Sequence, residues 1–214
     1  LTQESRTVYD YAKKFNQLEA NVKKGLWGDY AIAKPVHAIR NQTLGLLGCG
    51  RIARCLAVKA QAFGMKVIAY DPYIKQEAVE PYGVTLVSKD ELLERSDFVS
   101  MHLLLNEDTR KSIDAEFFRK MKRSAIFINT GRGGLVDEEA MIEALRTGEI
   151  AGAGLDVLTV EGIDKDAPLQ KFDNVIITPH AAWYSEEAFH TLLTSAAQEV
   201  VRALHGELVK NQVN

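Results

Sequence analysis

The sequence has few cysteines, no surplus of positive charge and no long apolar run. Its two cysteines, Cys49 and Cys55, are too few for a disulfide framework or a cysteine-based metal site, which favours a reducing cytoplasm. The formal net charge of −3 shows no excess of basic residues with which to bind nucleic acid. No apolar run approaches a membrane span, and residues 1–20 lack the apolar core of a signal peptide. Nucleic-acid and membrane partners are therefore disfavoured, and no metal site is expected.

From Thr43 onward, short apolar runs alternate with helical patterns. The runs are continuously apolar, which is typical of strands buried on both faces of a parallel sheet. The order predicts an α/β protein with a doubly wound parallel sheet, the Rossmann architecture. The predicted strands are 43–47, 66–70, 84–87, 97–102, 124–129, 152–157 and 174–178, and the predicted helices between them are 51–63, 88–95, 107–121 and 137–147.

Both ends of the chain lie outside this alternation. A helix is predicted over 4–24, an extended connector over 25–41 and an amphipathic helix over 184–206. The predicted division is therefore 1–41 (helix and connector), 42–183 (nucleotide-binding domain) and 184–214 (helix and tail). Because the chain starts at Leu1 rather than methionine, we expect it to be a piece of a longer protein.

The run GCGRIA at 48–53 has two of the three glycines of a dinucleotide-binding loop. Gly48 suits the tight turn after a strand, and Gly50 lets the backbone approach a pyrophosphate at the start of the next helix. The third position serves helix–strand packing, so the methyl group of Ala53 is tolerable there. The alternative, a glycine-rich turn without chemical use, fits the context less well, because a predicted strand precedes the run and a predicted helix follows it.

An acidic residue, Asp71, ends the next predicted strand, about 20 residues after Gly48. A carboxylate there can accept hydrogen bonds from both ribose hydroxyls of an adenosine, whereas it would repel a 2′-phosphate. Pro72 and Tyr73 follow it and supply no arginine to neutralise such a phosphate. NAD is therefore predicted over NADP, although Asp71 could also be a turn former before the proline.

Three ionisable side chains follow later strands, at the sheet edge where open α/β proteins bind their ligands. Arg132 lies among the glycines of INTGRGGLVDEEA, Glu161 follows GAGLDV, and His180 ends NVIITPH. They could serve as an anion clamp, an acid–base partner and a proton carrier. Each also has a structural alternative: a surface loop residue for Arg132, a capping role for Glu161 and a satisfied strand-end histidine for His180.

Taken in order, GxGxxA with Asp71, NTGRGGLVDEEA, GAGLDVLTVEG and NVIITPHAAW resemble the D-isomer-specific 2-hydroxyacid dehydrogenases over nearly the whole chain from Thr43. The motifs HAAWYSEEA and HLLLNE are most similar to the phosphoglycerate-dehydrogenase-like branch that includes the C-terminal-binding-protein (CtBP) corepressors. The resemblance implies catalytic roles for Arg132, Glu161 and His180. It also implies that the residues that bind NAD are Gly48, Gly50, Arg51, Ile52, Asp71, His102, Thr130 and Asp156.

The implied activity is hydride transfer between nicotinamide and a D-2-hydroxy acid or 2-keto acid, without a metal. His180 would carry the proton, Glu161 would fix its tautomer and Arg132 would hold the substrate carboxylate. Trp183 would line the substrate pocket or pack beneath the last helix. The family's substrate-binding domain is expected to be largely absent, so we expect a homodimer that binds NAD without turnover. The alternative is a CtBP-like scaffold that senses NAD(H) and binds protein partners.

Overall fold

The chain forms, in a computed structural model that describes residues 3–27 and 36–210, an all-parallel sheet of seven strands covered by helices. This confirms the predicted fold class. Contacts within the chain divide it into two compact units, residues 1–180 and 181–214, and the sheet belongs to the first. The strands of the described residues are β1 (Thr43–Leu47), β2 (Lys66–Tyr70), β3 (Thr85–Leu86), β4 (Phe98–Met101), β5 (Ile126–Asn129), β6 (Gly152–Leu155) and β7 (Val175–Ile177).

The strand order across the sheet is β3-β2-β1-β4-β5-β6-β7, so the chain reverses its direction of winding between β1 and β4. The helices of the first unit are α1 (Gln3–Lys13), α2 (Phe15–Lys23), α3 (Arg51–Ala62), α4 (Lys89–Arg95), α5 (Ala115–Lys120) and α6 (Glu138–Thr147). In a doubly wound sheet the crevice outside the carboxyl ends of the strands at such a reversal is the usual ligand site. The topology therefore directs attention to the loops after β1, β4 and β5.

The core has two layers, one on each face of the sheet. Neighbouring residues of a strand point to opposite faces, and Phe98 and Val99 of β4 accordingly belong to different buried clusters. The cluster with Phe98 packs against α1 and α3, and the cluster with Val99 packs against α4, α5 and α6. In the second cluster the rings of Phe117, Phe118 and Phe127 meet edge to face, with centroids 5.4–6.2 Å apart. Both faces are thus closed, as continuously apolar strands require.

The helix that precedes the sheet in the sequence is packed onto it. Val8, Tyr11 and Ala12 of α1 are buried in the same cluster as β1. The Tyr11 hydroxyl contacts the Ala153 carbonyl, lies 2.9 Å from the Asn174 carbonyl and accepts the Ile176 N–H at 3.1 Å. Burial raises the pKa of Tyr11, so its hydroxyl keeps its proton. α1 therefore connects β6 and β7. The predicted boundary between residues 1–41 and the nucleotide-binding domain remains a prediction.

Two predicted helices differ from those observed. The predicted helix 4–24 is divided into α1 and α2 at Lys14, whose φ of 56° is left-handed. The predicted helix 107–121 is reduced to α5 because the side chains of Asn106 and Thr109 bond each other's backbone N–H groups in a turn. The chain then pairs Ile113 with Val136 before the helix begins. The other predicted elements shift by three residues or fewer at each end, and part of the predicted connector, 28–35, lies outside the described residues.

Side-chain caps fix the starts of four helices. Ser88, Asp114, Asp137 and Ser185 each accept a backbone N–H from the first turn of the helix that follows. The last of these caps α7 (Glu186–Leu204), the helix of the second unit. Several of its apolar side chains are exposed, among them Phe189, Leu193, Val200 and Leu204. Among residues 3–27 and 36–210, no helix is both long enough and apolar enough to span a membrane.

Candidate functional site

The loop after β1 requires glycine at its first position. Gly48 has a φ of 91°, a left-handed conformation that other residues rarely adopt, and a Cβ there would lie 2.8 Å from the His102 carbonyl oxygen. The loops after β1 and β4 therefore approach each other backbone to backbone. This close approach is at the point where the winding of the sheet reverses.

The other two positions of the GCGRIA motif play different parts. Gly50 precedes α3, and a Cβ built on it would meet no atom within 4 Å, so open space lies in front of the helix N-terminus. Ala53, by contrast, is fully buried in the core beside β1. The arrangement fits a phosphate group at Gly50, and it agrees with a packing role for the third position of the motif.

Asp71 directly follows β2 and is held by two backbone groups. Its Oδ2 accepts the N–H of Cys49 at 2.9 Å, and its Oδ1 accepts the N–H of Tyr73 at 3.0 Å. The glycine loop is further held by Arg54, whose Nε donates to the Cys49 carbonyl at 2.9 Å. The carboxylate is thus fixed beside the loop, in the place where a dinucleotide-binding domain needs an acceptor for the adenosine ribose.

A cleft of about 690 Å³ extends from this loop across the ends of β4 and β5. It is lined by residues 50–53, 101–105 and 130–132 and by Glu4 of α1. The Thr130 hydroxyl donates to Glu4 Oε1 at 2.7 Å, and His102 Nε2 lies 3.0 Å from Ser100 Oγ. Burial lowers the pKa of His102 to about 4, and the charge of Glu4 offsets part of that effect. Near neutral pH the imidazole is therefore uncharged.

Arg132 lines the end of this cleft from the loop after β5. Asn129, which is buried, holds that loop in shape: its Oδ1 accepts the Gly131 N–H and its Nδ2 donates to the Arg132 carbonyl, both at 3.0 Å. The side chain of Arg132 is exposed, and its Nη1 donates to the Gly131 carbonyl at 2.8 Å. A guanidinium on a fixed loop can bind a carboxylate or phosphate bidentately.

Asp156 and His180 are joined through the backbone. Asp156 directly follows β6, is almost fully buried, and its Oδ1 accepts the Thr178 hydroxyl at 2.5 Å. Its carbonyl accepts the N–H of His180 at 2.8 Å. His180 has a φ of 52°, a left-handed conformation that is costly for a residue other than glycine. Such conformations concentrate at functional sites. Here the backbone conformation of His180 fixes the direction in which the imidazole side chain points.

His180 and Glu161 form a close pair. His180 Nδ1 lies 2.6 Å from Glu161 Oε1, and the two side chains are 39% and 61% exposed. A carboxylate on Nδ1 fixes the tautomer with its proton on that nitrogen, which leaves Nε2 to exchange a proton with a ligand. The pair lines a cavity of about 440 Å³ together with Asp156 and apolar side chains that include Phe172 and Ile177.

The predicted site residues thus lie in two neighbouring groups. Gly50, Arg51, Ile52, His102, Thr130 and Arg132 line the cleft, with Gly48 and Asp71 at its glycine loop, whereas Asp156, Glu161 and His180 line the second cavity. Trp183 belongs to residues 181–214, the other compact unit, so its predicted place in a substrate pocket remains a prediction. Over the ranges that the structure describes, no group of histidine, cysteine, aspartate and glutamate side chains could hold a metal ion.

Several polar residues of the site were not predicted from the sequence. Among them, Glu4, Asn129 and Thr178 each bond a predicted residue or its loop. Asn129 and Thr178 lie within motifs that were recognised, so their positions at strand ends could have indicated them. Glu4 lies in a helix that was assigned outside the nucleotide-binding domain, and no sequence signal connected it to the cleft.

Comparison with known proteins identifies the family. The sequence model of the family described as "D-isomer specific 2-hydroxyacid dehydrogenase, NAD binding domain" matches residues 6–182. The chain belongs to this family. The predicted family and the predicted cofactor, NAD, are thereby confirmed. The loop at Gly48 and Gly50, together with Asp71, fits a dinucleotide.

Several relatives of this dehydrogenase family resemble most of the chain. D-3-phosphoglycerate dehydrogenase of Methanocaldococcus jannaschii is 43% identical over 95% of the chain and 38% of its own length. Glyoxylate reductase of Korarchaeum cryptofilum is 38% identical over 95% of the chain and 62% of its own length. A D-lactate dehydrogenase with NAD⁺ from Lactobacillus jensenii superimposes with a TM-score of 0.86 at 33% identity, covering 98% of the chain and 66% of that structure. The chain therefore spans only part of these relatives.

Proposed function

We propose that the chain is the nucleotide-binding part of an NAD-dependent oxidoreductase that interconverts a D-2-hydroxy acid and a 2-keto acid. The observation that supports this most directly is the Glu161–His180 pair, 2.6 Å apart, beside the carboxyl edge of an NAD-binding sheet. When bound, NAD supplies the hydride acceptor or donor. The remaining task is to move a proton on the substrate oxygen and to hold the substrate.

His180 is the proposed proton carrier. Because Glu161 engages Nδ1, proton exchange with the substrate oxygen falls to Nε2. Glu161 also holds the imidazole ring in one orientation while Nε2 gives up or accepts the proton. Arg132 binds the substrate carboxylate and polarises the neighbouring carbonyl, a role supported by its exposed guanidinium on a loop fixed by Asn129.

The proposed NAD-binding residues divide by the part of the dinucleotide that they hold. Asp71 would accept hydrogen bonds from the adenosine ribose hydroxyls, and Gly48, Gly50, Arg51 and Ile52, at the N-terminus of α3, would hold the pyrophosphate. His102 and Thr130, which line the cleft, would face the nicotinamide half. Asp156, held by the Thr178 hydroxyl, would accept a hydrogen bond from the carboxamide N–H group. Trp183 is proposed to line the substrate pocket.

The acid–base pair is too exposed for efficient hydride transfer as it stands, because that step requires a water-free pocket and a substrate held within about 3–3.5 Å. We therefore propose that a further domain, outside the 214 residues, closes over it. The test compares two proteins: the chain alone and the full-length protein that contains it. Calorimetry should show that both bind NADH, and only the full-length protein should reduce glyoxylate, pyruvate or hydroxypyruvate.

Two results would contradict this proposal. If the full-length protein bound NADH but reduced none of a broad panel of 2-keto acids, its function would be that of an NAD(H)-sensing scaffold and not that of an enzyme. If the 214-residue chain reduced one of them at ordinary enzyme rates, the need for a closing domain would be wrong. A His180→Ala variant of the full-length protein gives the background rate with which the reduction rates of the full-length protein and of the chain are compared.

We also propose that the protein is a cytoplasmic homodimer. The apolar side chains of Phe189, Leu193, Val200 and Leu204 recur at helical spacing along α7 and are all exposed, so they are available to a second copy. Light scattering coupled to size exclusion should give twice the chain mass of 23.8 kDa. A monomer at all concentrations would contradict the proposal.

A further inference from the structure

An acidic side chain from the N-terminal helix lies inside the cofactor cleft. Glu4 of α1 is only 5% exposed and lines the cleft together with the loops after β1, β4 and β5. Its Oε1 accepts the Thr130 hydroxyl at 2.7 Å, across 126 positions of sequence. Glutamate is rarely buried unless a cation accompanies it. A carboxylate in this position therefore requires an explanation.

The side chains around Glu4 do not neutralise it. Among the residues whose side chains the structure describes, no lysine or arginine forms an ion pair with Glu4. The nearby histidine, His102, is uncharged near neutral pH because burial lowers its pKa to about 4. Arg51 and Arg132 also line the cleft, but both are exposed and thus largely screened by solvent. Glu4 therefore places a negative charge in the cleft without a local counter-charge.

The topology indicates which half of the dinucleotide would experience this charge. Asp71 follows β2 and marks the adenosine end, and the open space at Gly50 beside β1 marks the pyrophosphate. Continuing across the sheet order β2-β1-β4-β5, the nicotinamide half lies over the ends of β4 and β5. Glu4 bonds Thr130, the residue directly after β5. It is therefore on the nicotinamide side.

We propose that Glu4 sets the preference of the site between the two redox forms of its cofactor. The nicotinamide ring is a cation in NAD⁺ and neutral in NADH. A carboxylate attracts only the cationic form, and a carboxylate that is buried attracts it more strongly than an exposed one would. Glu4 thus favours NAD⁺ over NADH, and α1 is part of the cofactor site. This inference rests on the proposed placement of NAD in the cleft.

The Thr130 hydroxyl separates two possible roles of Glu4. Its hydrogen is donated to Glu4, so Thr130 can offer only lone pairs to a ligand. If Glu4 merely positioned Thr130, loss of either partner would weaken both redox forms of the cofactor alike. If its charge matters, removal of the charge alone would weaken NAD⁺ selectively.

The experiment measures dissociation constants of NAD⁺ and NADH for the 214-residue chain by calorimetry. Glu4→Gln removes the charge and keeps an acceptor for Thr130. It should raise the ratio of the NAD⁺ constant to the NADH constant by about fivefold or more, with NADH binding within about twofold of the unaltered chain. Thr130→Val, which keeps the charge, should leave that ratio within about twofold. The matched control is Glu19→Gln, an exposed glutamate of α2, which should change neither constant.

An unchanged ratio in Glu4→Gln, or equal weakening of both forms, would overturn the inference while leaving NAD binding intact. If the unaltered chain bound neither form, the placement of NAD in the cleft would fall, and the inference with it. Thermal unfolding of each variant checks the fold. Should Glu4→Gln fail to fold, Glu4→Met removes the same charge with a side chain of similar length, and the same shift in ratio is required of it.

Discussion

The two halves of the site differ in how completely the fold builds them. At the cofactor cleft, Glu4 and Asn129 are buried, and Asp71 is held by two backbone N–H groups. At the acid–base end, the Glu161 and His180 side chains are 61% and 39% exposed, although their mutual distance is already short. The sheet thus holds the proposed nucleotide-binding residues in place, whereas the proposed proton-transfer pair has a short contact but stays accessible to water. Substitutions at the two ends should therefore have different consequences.

The largest effect is expected at the exposed end. In the full-length protein, His180→Ala should lower kcat by about 100-fold or more, since it removes the proposed proton carrier, and should leave the NADH dissociation constant within about twofold. Steady-state kinetics and calorimetry measure the two quantities. Glu161→Gln, which retains a hydrogen-bond acceptor for Nδ1, should cause a smaller loss. Normal turnover in His180→Ala would remove this residue from the mechanism.

At the buried end, a matched pair of glycine substitutions separates folding from binding. Gly48→Ala should destabilise the chain by about 2–3 kcal/mol, because its φ of 91° is left-handed and the new Cβ would crowd the His102 carbonyl. Gly50→Ala should leave stability within about 0.5 kcal/mol, because its φ of −73° suits alanine and no atom lies nearby.

The same pair should differ in NADH binding. Gly50→Ala should weaken it by about tenfold or more, since the methyl group occupies the space through which the backbone approaches the pyrophosphate. Urea unfolding and calorimetry provide the two measurements. If Gly50→Ala bound NADH normally, the pyrophosphate would have to lie elsewhere than at this loop.

Acid should destabilise the buried end through His102. Burial holds its folded-state pKa at about 4, below its usual value of about 6.5, so the unfolded chain binds more protons between these values. The stability related to this group is complete above about pH 6.5, decreases as the pH falls towards about 4 and is constant below that. Between pH 7 and 4.5 the loss is about 2 kcal/mol.

The test compares the pH dependence of urea unfolding in the unaltered chain and in His102→Gln. Between pH 7 and 4.5, the variant should lose about 2 kcal/mol less stability than the unaltered chain. His37→Gln, a substitution of an exposed histidine, controls for the loss of an imidazole. Parallel curves for the unaltered chain and His102→Gln would show that His102 does not contribute to acid sensitivity.

The smallest effect concerns the adenosine end. The carboxylate of Asp71 should make NADH bind about tenfold more tightly than NADPH, a difference of about 1.4 kcal/mol. Asp71→Asn keeps an acceptor for the Cys49 N–H and removes the charge, so the two affinities should approach each other. Equal affinities in the unaltered chain would contradict the role given to Asp71.

The sequence predicted the nucleotide-binding sheet well because its signals are local. Each continuous apolar run is a signal of only a few residues, and the strands 43–47 and 66–70 were predicted with their observed bounds. The predicted helix 107–121 was wrong over its first half, because the turn at Asn106 and Thr109 competes with the helix through side-chain bonds that periodicity does not register.

The site was predictable only to the extent that it consists of motifs. Asp71 directly follows β2, and Arg132, Glu161 and His180 lie in the loops after β5, β6 and β7, where the fold class alone directs a search. Glu4 could not be found in this way, since its contact with Thr130 depends on how α1 packs across the sheet rather than on any neighbouring residue. The exposure of His180 was equally hidden, because it depends on the residues that surround its loop in space.

The Tyr11 hydroxyl also affects how the chain reaches this structure. It bonds the carbonyls of Ala153 and Asn174, which lie 142 and 163 positions later in the sequence. Contacts between such distant positions slow folding, because the entropy of closing a long loop is lost before the contact repays it. During synthesis, the Tyr11 hydroxyl therefore lacks these partners until β6 and Asn174 have left the ribosome. A nascent chain stalled before residue 153 should consequently hold α1 only through its packing on β1, α3 and β5.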